Sequence, residues 1–552
     1  MNDWLQRIAE LGEEAKAGIL GAPLEKRLLM LAKQLDVSLE EAKRWLAEVS
    51  SLELLEAFDL CDKPEECLPM PIIHEYHCLP IKSTEASFDL ISAWPLDEST
   101  LSWIRVTCGF VPKCFLGDSE LIYRVIRDKF GLGAESFLSG GEEDIKSAEE
   151  AIEEDEDAVI IKFVNEVLRQ ALEDRATDVH FEPQKKLLQV RYRIDGVLVP
   201  VKLPQNLHFY QAAIISRLKI MARLNISEKR RPQDGRITFQ LGTESVDIRV
   251  STLPTAYGES VSLRLLDQGS APLTLEDLYL SPKEYQRIEY AIRKPHGILL
   301  VTGPTGSGKS TTLGACVRKI RCPELRIITV EDPIEYEIAG INQVQVQSDI
   351  GMTFANALRS ILRQDPDVIM VGEIRDQETA DIAIRASITG HLVLSTLHTN
   401  DAAGAVTRLL DMGLEPFLLA SSLEVVIAQR LVRKLCPHCA RPTSSSLEEI
   451  EKFLGALDID PSELRYREQI LEPVGCDLCR RLGYRGRIGV YEILKMSDAV
   501  HDAIIHNQPA REIRKVAMQE GMLTLQQSAW NQVKQGRTSL PVIMELASDA
   551  EL

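Results

Sequence analysis

The fold is decided by residues 297–313, which read Gly-Ile-Leu-Leu-Val-Thr-Gly-Pro-Thr-Gly-Ser-Gly-Lys-Ser-Thr-Thr-Leu. The apolar run 298–301 predicts a buried parallel strand, and the residues from Lys309 onward predict a helix. Between them lies the pattern Gly-x-x-x-x-Gly-Lys-Ser, whose glycines let backbone N–H groups converge on an anion at the positive end of the helix dipole. The sequence therefore predicts a phosphate-binding loop rather than a glycine-rich turn without a ligand.

We expect the whole loop to contact the phosphates of ATP. The Lys309 ammonium is expected to reach the β- and γ-phosphates, and the Ser310 hydroxyl is expected to bind Mg²⁺. The predicted contact residues are Gly303, Pro304, Thr305, Gly306, Ser307, Gly308, Lys309, Ser310 and Thr311.

Polar side chains follow three further apolar runs that predict strands. In an open parallel sheet, ligands bind at the edge formed by the carboxyl ends of the strands. Three strand ends of this kind beside a phosphate loop therefore indicate one site. The strands and the polar residues after them are 327–330 with Glu331, Asp332 and Glu335, 368–371 with Glu373, and 392–396 with His398.

An α+β unit is expected to precede this core. Asp195-Gly196 lies between the predicted strands 187–194 and 197–203, and this dipeptide is typical of a two-residue hairpin. The unit is rich in arginine, which can supply charge to a phosphate or form an ordinary solvated face. Further elements are predicted as helices over 158–173 and 208–224 and strands over 236–241, 245–250 and 260–266.

Residues 1–140 contain no recognisable chemistry, and we interpret them as a docking domain that is helical up to about residue 57. His74, His77 and Cys78 are close in sequence, but a cluster of this kind is more often structural than metal-binding. Residues 142–157 contain ten acidic side chains and predict an extended or loosely helical linker. A binding site for a basic partner is the alternative function for this block.

Two Cys-x-x-Cys pairs, Cys436/Cys439 and Cys476/Cys479, are separated by 36 residues. Four thiolates fit a tetrahedral Zn²⁺, and free cysteines or a redox pair are the alternatives. A catalytic zinc is disfavoured because four thiolates leave no open position for water. The long gap predicts that residues 444–465 loop out, and residues 495–552 are expected to be helical.

Composition restricts the class of protein. The 552 residues are 45% hydrophobic and 26% charged, which is typical of several globular domains. No apolar stretch approaches the ~18–20 residues of a membrane span, and the acidic amphipathic N-terminus lacks the pattern of a secretory signal. We therefore expect a cytoplasmic protein whose membrane contact is indirect. The net charge of −20 disfavours non-specific binding to nucleic acid.

Taken together, the motifs resemble the secretion ATPase superfamily, specifically the type II secretion and type IV pilus assembly ATPases. The resemblance runs from about residue 158 to the end of the chain. Six stretches in family order carry it, namely 176–183, 230–236, 303–311, 330–336, 362–376 and 389–400.

The resemblance implies an α/β fold with a RecA-like phosphate-loop core. It also implies a preceding α+β domain of PAS-like fold, a zinc-binding insertion and an N-terminal α-rich docking domain. The implied domains are 1–140 for docking, 141–157 as acidic linker, 158–270 as the arginine-bearing domain, 271–435 as the ATPase core, 436–494 as the tetracysteine subdomain and 495–552 as a helical region.

The resemblance also implies roles for individual residues. Glu335 would polarise the attacking water, Glu373 would close the atypical Walker B strand, and His398 would sense the γ-phosphate. Arg249 and Arg264 match the arginines that the preceding domain brings to the nucleotide. Such an arginine finger is worth roughly 10³–10⁵ in rate.

The resemblance further implies a homo-hexameric motor that hydrolyses ATP at the cytoplasmic face of the inner membrane, held there by platform and docking proteins. The paired cysteines favour the secretion and pilus-assembly branches over pilus retraction. Residues 415–423 and 431–439 look more like the type II secretion branch, so we expect a motor for pseudopilus assembly, with pilus assembly as the alternative. A nucleic-acid motor and a non-hydrolysing, nucleotide-gated scaffold are the more distant rivals.

Overall fold

A computed structural model describes residues 18–20, 22, 24–82, 88–108, 110, 112–130, 152–203, 205–241, 244–266 and 273–550. The chain divides into two units, Met1–Asp267 and Gln268–Leu552, and each is described by itself. Among the helices in the described ranges, none is both long enough and apolar enough to serve as a bilayer span.

The first part of the first unit surrounds a small sheet with strand order β1-β4-β3-β2. The predicted helical stretch ends at Ser50, because residues 53–55 instead pair in parallel with β4. The elements are α1 (Leu24–Leu35), α2 (Leu39–Ser50), β1 (Glu53–Leu55), α3 (Pro64–Cys67), α4 (Met70–Glu75), β2 (Cys78–Lys82), β3 (Phe88–Ser92), α5 (Glu98–Cys108), β4 (Cys114–Gly117) and α6 (Ser119–Phe130).

His74 and His77 are buried in this part of the unit. The His74 ring meets Phe130 edge-on at a centroid distance of 5.9 Å, and the His77 ring lies 5.6 Å from Tyr123. These ring contacts favour the structural interpretation of the two histidines. Within the described residues, the four paired cysteines are the only group of three or more ligating side chains close enough to share a metal ion.

The second part of the first unit is a six-stranded antiparallel sheet with strand order β7-β6-β5-β10-β9-β8. It confirms the predicted α+β class and adds a strand, β5, that the sequence patterns did not predict. The elements are α7 (Ile152–Glu173), β5 (Ala176–Pro183), β6 (Leu188–Ile194), β7 (Val197–Pro200), α8 (Gln211–Met221), β8 (Gln233–Leu241), β9 (Glu244–Thr255) and β10 (Gly258–Leu266).

Two predictions about this region have different outcomes. The Asp195-Gly196 hairpin is confirmed, and both residues have positive φ (49° and 90°), as a type I′ turn requires. The helix predicted over 158–173 begins earlier, because α7 starts at Ile152 and so includes residues 152–157 of the predicted acidic linker. Glutamate favours helices, and a glutamate-rich stretch can extend an amphipathic helix that is anchored by packing. Residues 141–151 lie outside the described ranges.

The second unit is built on a seven-stranded sheet with order β13-β12-β14-β15-β11-β16-β19. All neighbouring strands are parallel except β16 and β19. The elements are α9 (Pro282–Ile292), β11 (Gly297–Thr302), α10 (Lys309–Ile320), β12 (Ile327–Glu331), β13 (Asn342–Gln345), α11 (Phe354–Ile361), β14 (Val368–Val371), α12 (Gln377–Ile388), β15 (Leu392–Leu397), α13 (Ala402–Asp411), α14 (Pro416–Ser422), β16 (Leu423–Leu435), β17 (Arg441–Pro442), α15 (Leu447–Ala456), β18 (Leu471–Glu472), β19 (Tyr484–Lys495), α16 (Asp498–Ile505), α17 (Ala510–Gln519), α18 (Leu525–Lys534) and α19 (Leu540–Ala550).

The apolar runs of this sheet are buried on both faces. In β11, Ile298 and Leu300 belong to one hydrophobic cluster, whereas Leu299 and Val301 belong to another. Continuous apolar strands of this kind are expected when helices cover both sides of a parallel sheet. The predicted strands that end before Glu331, Glu373 and His398 are confirmed as β12, β14 and β15.

Two boundaries near the cysteines need correction. The predicted tetracysteine subdomain extends to residue 494, but β19 pairs along its length with β16 and therefore belongs to the core sheet. Residues 444–465 do not loop out: they form α15 and the start of a 3₁₀ segment, Pro461–Gln469. Ile450 and Leu454 of α15 are fully buried in one cluster with Trp530, so apolar packing holds this segment against the C-terminal helices.

Candidate nucleotide site and metal centre

The predicted phosphate loop joins β11 to α10. Gly308 caps α10 with φ +88°, and Gly303 and Gly306 also have positive φ (150° and 80°). A Cβ on Gly303 would lie 2.5 Å from the carbonyl oxygen of Gln429, so both conformation and space require glycine there. The loop therefore has the backbone shape from which N–H groups can hold a phosphate.

Lys309 lies inside this loop. Its Nζ donates hydrogen bonds to the carbonyl oxygens of Gly303 at 2.9 Å and Pro304 at 3.0 Å. Burial lowers the pKa of Lys309, whereas the carboxylates of Glu373 and Glu335 oppose that change. The loop thus presents a largely buried ammonium near two acidic side chains, which suits an anionic ligand accompanied by a cation.

Hydroxyl groups connect the strand ends that carry the predicted catalytic residues. Thr396 Oγ1 donates to the Gly372 carbonyl at 2.7 Å, and the Ile374 N–H donates to the Thr396 carbonyl at 3.0 Å. Thr302 Oγ1 lies 2.7 Å from Thr399 Oγ1 and accepts a 2.8 Å bond from the Thr399 N–H. These bonds hold the ends of β14, β15 and β11 in fixed relation.

Glu373 and His398 meet at this edge of the sheet. Glu373 Oε2 lies 3.3 Å from His398 Nε2, and its other oxygen accepts a hydrogen bond from Arg375. The Glu373 side chain is 16% exposed, whereas that of His398 is 47% exposed. The acid is thus set into the edge while the imidazole stays accessible to a ligand.

Two glutamates at the end of β12 and just beyond it differ in their surroundings: one carboxylate is hydrogen-bonded within the protein and the other is exposed to solvent. Glu331 accepts hydrogen bonds from Thr329 Oγ1 at 2.6 Å and Gln343 Nε2 at 3.0 Å, and burial raises its pKa. Glu335 is exposed and contributes to the electrostatic environment of both Glu331 and Lys309. Of the two glutamates, Glu335 is the one available to a water molecule.

Two residues beside the loop were missed in the sequence. Gln429 and Arg430 follow the apolar run 425–428, but they lie inside β16, which continues to Leu435, so the rule that found Glu373 and His398 after strand ends does not find them. Arg430 donates at 3.2 Å to the carbonyl and side-chain oxygens of Asn400, and its charge adds to the lowering of the Lys309 pKa.

Arg249 and Arg264 lie in the first unit, directly opposite each other on β9 and β10. They line an open cleft of about 470 Å³ together with Arg236 and Asp178. Asp178 accepts a 3.0 Å hydrogen bond from Arg264 Nε, and this aspartate was not predicted as a site residue. The structure thus brings the two predicted arginines together on one face of the sheet.

The four paired cysteines converge on one point. Their Sγ atoms all lie within 4.8 Å of one another, with separations of 3.8 Å for Cys436–Cys476, 3.7 Å for Cys439–Cys479 and 3.7 Å for Cys476–Cys479. A tetrahedron with zinc–sulfur bonds of about 2.3 Å has edges of about 3.8 Å. Backbone N–H groups of Cys476 and Gly483 also point at Cys479 Sγ, at 3.1 and 3.2 Å. The donor set therefore fits a structural zinc ion.

Comparison with known proteins identifies relatives of this chain. The sequence profile of the family described as type II/IV secretion system protein matches residues 153–545. The type II secretion system ATPase E of Vibrio cholerae serotype O1 is 46% identical over 427 residues, which are 77% of this chain and 83% of that protein. The type II secretion system protein E of Xanthomonas campestris pv. campestris is 40% identical over 559 residues, 99% of this chain and 96% of that protein.

A solved structure agrees with the fold. The X-ray structure of the Legionella pneumophila ATPase DotB aligns with a TM-score of 0.51 at 22% identity, covering 70% of this chain and 96% of that one. At this identity the similarity concerns the architecture, and it agrees with the RecA-like core predicted from the sequence.

Proposed function

Because the chain belongs to the type II/IV secretion system protein family and is a secretion ATPase, we propose that it is a hexameric motor that powers pseudopilus assembly for type II protein secretion. It works at the cytoplasmic face of the inner membrane, where platform and docking proteins of the secretion machine hold it. The near-complete coverage of the Xanthomonas protein supports the type II branch over pilus assembly.

The observation that carries the catalytic proposal is the grouping at the carboxyl edge of the second-unit sheet. Glu373 and His398 are 3.3 Å apart there, and Glu373 and Glu335 both act electrostatically on Lys309. In this proposal Lys309 holds the β- and γ-phosphates, Glu335 orients the attacking water, and His398 contacts the γ-phosphate. Phosphoryl transfer depends mainly on such positioning and on positive charge.

Two metal ions belong to the proposal. The Ser310 hydroxyl and the Glu373 carboxylate are hard oxygen donors of the kind Mg²⁺ prefers, and Mg²⁺ would neutralise charge on the phosphates. Cys436, Cys439 and the second cysteine pair would hold a zinc ion that cross-links their two segments.

The test of the ATPase site is Lys309→Ala, with Lys319→Ala as its matched control. Both lysines are on α10, but Lys319 is at the far end, where it pairs with Glu276. We expect Lys309→Ala to lose ATP turnover and Lys319→Ala to keep it. Normal turnover by Lys309→Ala would show that the loop is wrongly assigned.

The proposed role of Arg249 and Arg264 is to stabilise charge on the nucleotide during hydrolysis. We expect Arg264→Ala to lower ATP turnover by roughly 10³–10⁵-fold, the usual contribution of an arginine finger. A folded Arg264→Ala protein with normal turnover would contradict this role.

The type II role is tested in cells. Deletion of the gene is expected to abolish secretion of a type II substrate and to leave surface pili unchanged. Loss of pili with normal secretion would instead identify a pilus-assembly motor. DNA-stimulated ATP turnover by the purified protein would favour a nucleic-acid motor, which the net charge of −20 disfavours.

A further inference from the structure

We propose that Gln429 is a positioning residue for ATP binding, because its carboxamide fixes the orientation of the Ser307–Gly308 peptide in the phosphate loop. The inference rests on the proposed phosphate-binding role of the loop, and it does not depend on which machine the ATPase drives.

Both ends of the Gln429 carboxamide are used. Its Oε1 accepts a 2.7 Å hydrogen bond from Thr312 Oγ1, and its Nε2 donates a 2.8 Å bond to the Ser307 carbonyl. The side chain is 2% exposed, and Ser307 and Thr312 are buried as well. One rigid amide therefore bridges the loop and the first turn of α10, out of reach of competing water.

The geometry of the peptide bond explains why this bridge affects phosphate binding. The C=O and N–H of a trans peptide point in opposite directions. A Ser307 carbonyl held toward Gln429 therefore turns the Gly308 N–H to the opposite side, away from β16. That side is where a loop of this kind collects its N–H groups around a phosphate.

Gly308 itself is adapted to the contact. Its φ of +88° is in the region that favours glycine, and an added Cβ would lie 2.8 Å from Gln429 Nε2. The carboxamide thus packs directly on the glycine whose N–H it orients. A side chain at position 308 would break both the turn and the bridge.

The register of the sheet explains how Gln429 reaches the loop. β11 pairs with β16 in parallel as far as Thr302 opposite Ala428, where β11 ends. β16 continues to Leu435, so its next residue, Gln429, lies beside the start of the loop. Gln429 is therefore held by a strand of the central sheet while its side chain contacts the loop.

The main test replaces Gln429 with methionine, which keeps the length of the side chain and removes both hydrogen bonds. Gln532→Met is the matched control, because Gln532 is also buried and donates from Nε2 to a backbone carbonyl, that of Tyr279 at 3.2 Å. We measure affinity for a fluorescent ATP analogue with Mg²⁺, kcat and KM for ATP, and the unfolding midpoint without nucleotide.

We expect Gln429→Met to weaken nucleotide affinity by about tenfold, as loss of one or two buried hydrogen bonds predicts, while Gln532→Met leaves affinity unchanged. Because a merely structural glutamine would lower only the unfolding midpoint, unchanged affinity in a folded Gln429→Met protein would overturn the proposal. If the wild-type protein binds no nucleotide, or Lys309→Ala binds normally, the failure lies in the loop assignment and not in Gln429.

A second pair of variants tests the bridge independently. Thr312→Val removes the hydroxyl that donates to Gln429, whereas Thr312→Ser keeps it. We expect weaker nucleotide binding only for Thr312→Val, and no additional loss when it is combined with Gln429→Met. Fully additive losses would show that the two residues act separately, which contradicts a shared bridge.

Discussion

A buried ion pair in the arginine-bearing part of the first unit provides a quantitative test of its stability. Lys219 Nζ, on α8, lies 2.8 Å from Glu259 Oε1, on β10, and also donates to the Glu228 carbonyl at 2.7 Å. The two side chains are 1% and 5% exposed. Glu259→Gln removes the negative charge and leaves the ammonium buried with only a neutral partner.

The expected loss in the free energy of unfolding is about 3–5 kcal/mol, the usual result of removing one partner of a buried pair. The control is Glu182→Gln, which breaks the Arg191–Glu182 pair, whose side chains are 31% and 27% exposed. A partly exposed pair of this kind is worth about 1 kcal/mol or less. Replacing the buried pair together, as Lys219→Met with Glu259→Leu, is expected to restore most of the loss.

Hydrogen–deuterium exchange of the full chain measures the effect where it occurs. Peptides covering α8 and β10 are expected to exchange about 10²–10⁴-fold faster in Glu259→Gln, which is the rate equivalent of that loss when local opening and closing are fast relative to chemical exchange. Exchange no faster than in Glu182→Gln would refute the reasoning, because the pair would then contribute no more than an exposed one.

Three further outcomes are expected. Cys476→Ser should lower bound zinc from one ion per chain toward none by elemental analysis, and a retained ion would contradict the four-cysteine site. Thr302→Val should lower kcat about tenfold and leave nucleotide affinity nearly unchanged, because it frees the segment that carries His398; an equal loss in both would contradict this. Burial raises the pKa of Glu492 from its ordinary value near 4.5, so the folded state holds that proton more tightly than the unfolded state and wild-type stability is lost as pH rises through the raised pKa. Glu492→Gln lacks this loss, so its stability relative to wild type should be higher at pH 8 than at pH 4 in urea unfolding; a pH-independent difference would contradict it.

The sequence predicted elements whose signals are local. The Asp195-Gly196 turn requires positive φ at both residues, which this dipeptide tolerates. Each cysteine pair has the two-residue spacing of a zinc-binding motif. Both features could therefore be found without tertiary information. The apolar runs before Glu373 and His398 were likewise recognisable, because a strand buried on both faces has a continuous apolar sequence.

Features that depend on distant pairing could not be found in this way. The length of β16 and its pairing with β19 follow from a register between segments about 60 residues apart, which no local pattern specifies. Gln429 reaches the phosphate loop only because Thr302 lies opposite Ala428. The packing of α15 depends on helices near the end of the chain, so a gap between cysteines was mistaken for a loop.

The long strand β16 has a mechanical consequence. It begins next to β11, passes the phosphate loop at Gln429 and ends one residue before Cys436. The span from Gln429 to Cys436 is about 23 Å at roughly 3.3 Å per residue. Its antiparallel partner β19 begins five residues after Cys479, so both strands of this ribbon start or finish at the cysteine cluster. A zinc ion there would cross-link the two strands at their far end. A small tilt of the ribbon at the nucleotide end would therefore displace the whole cysteine-bearing segment as one rigid body.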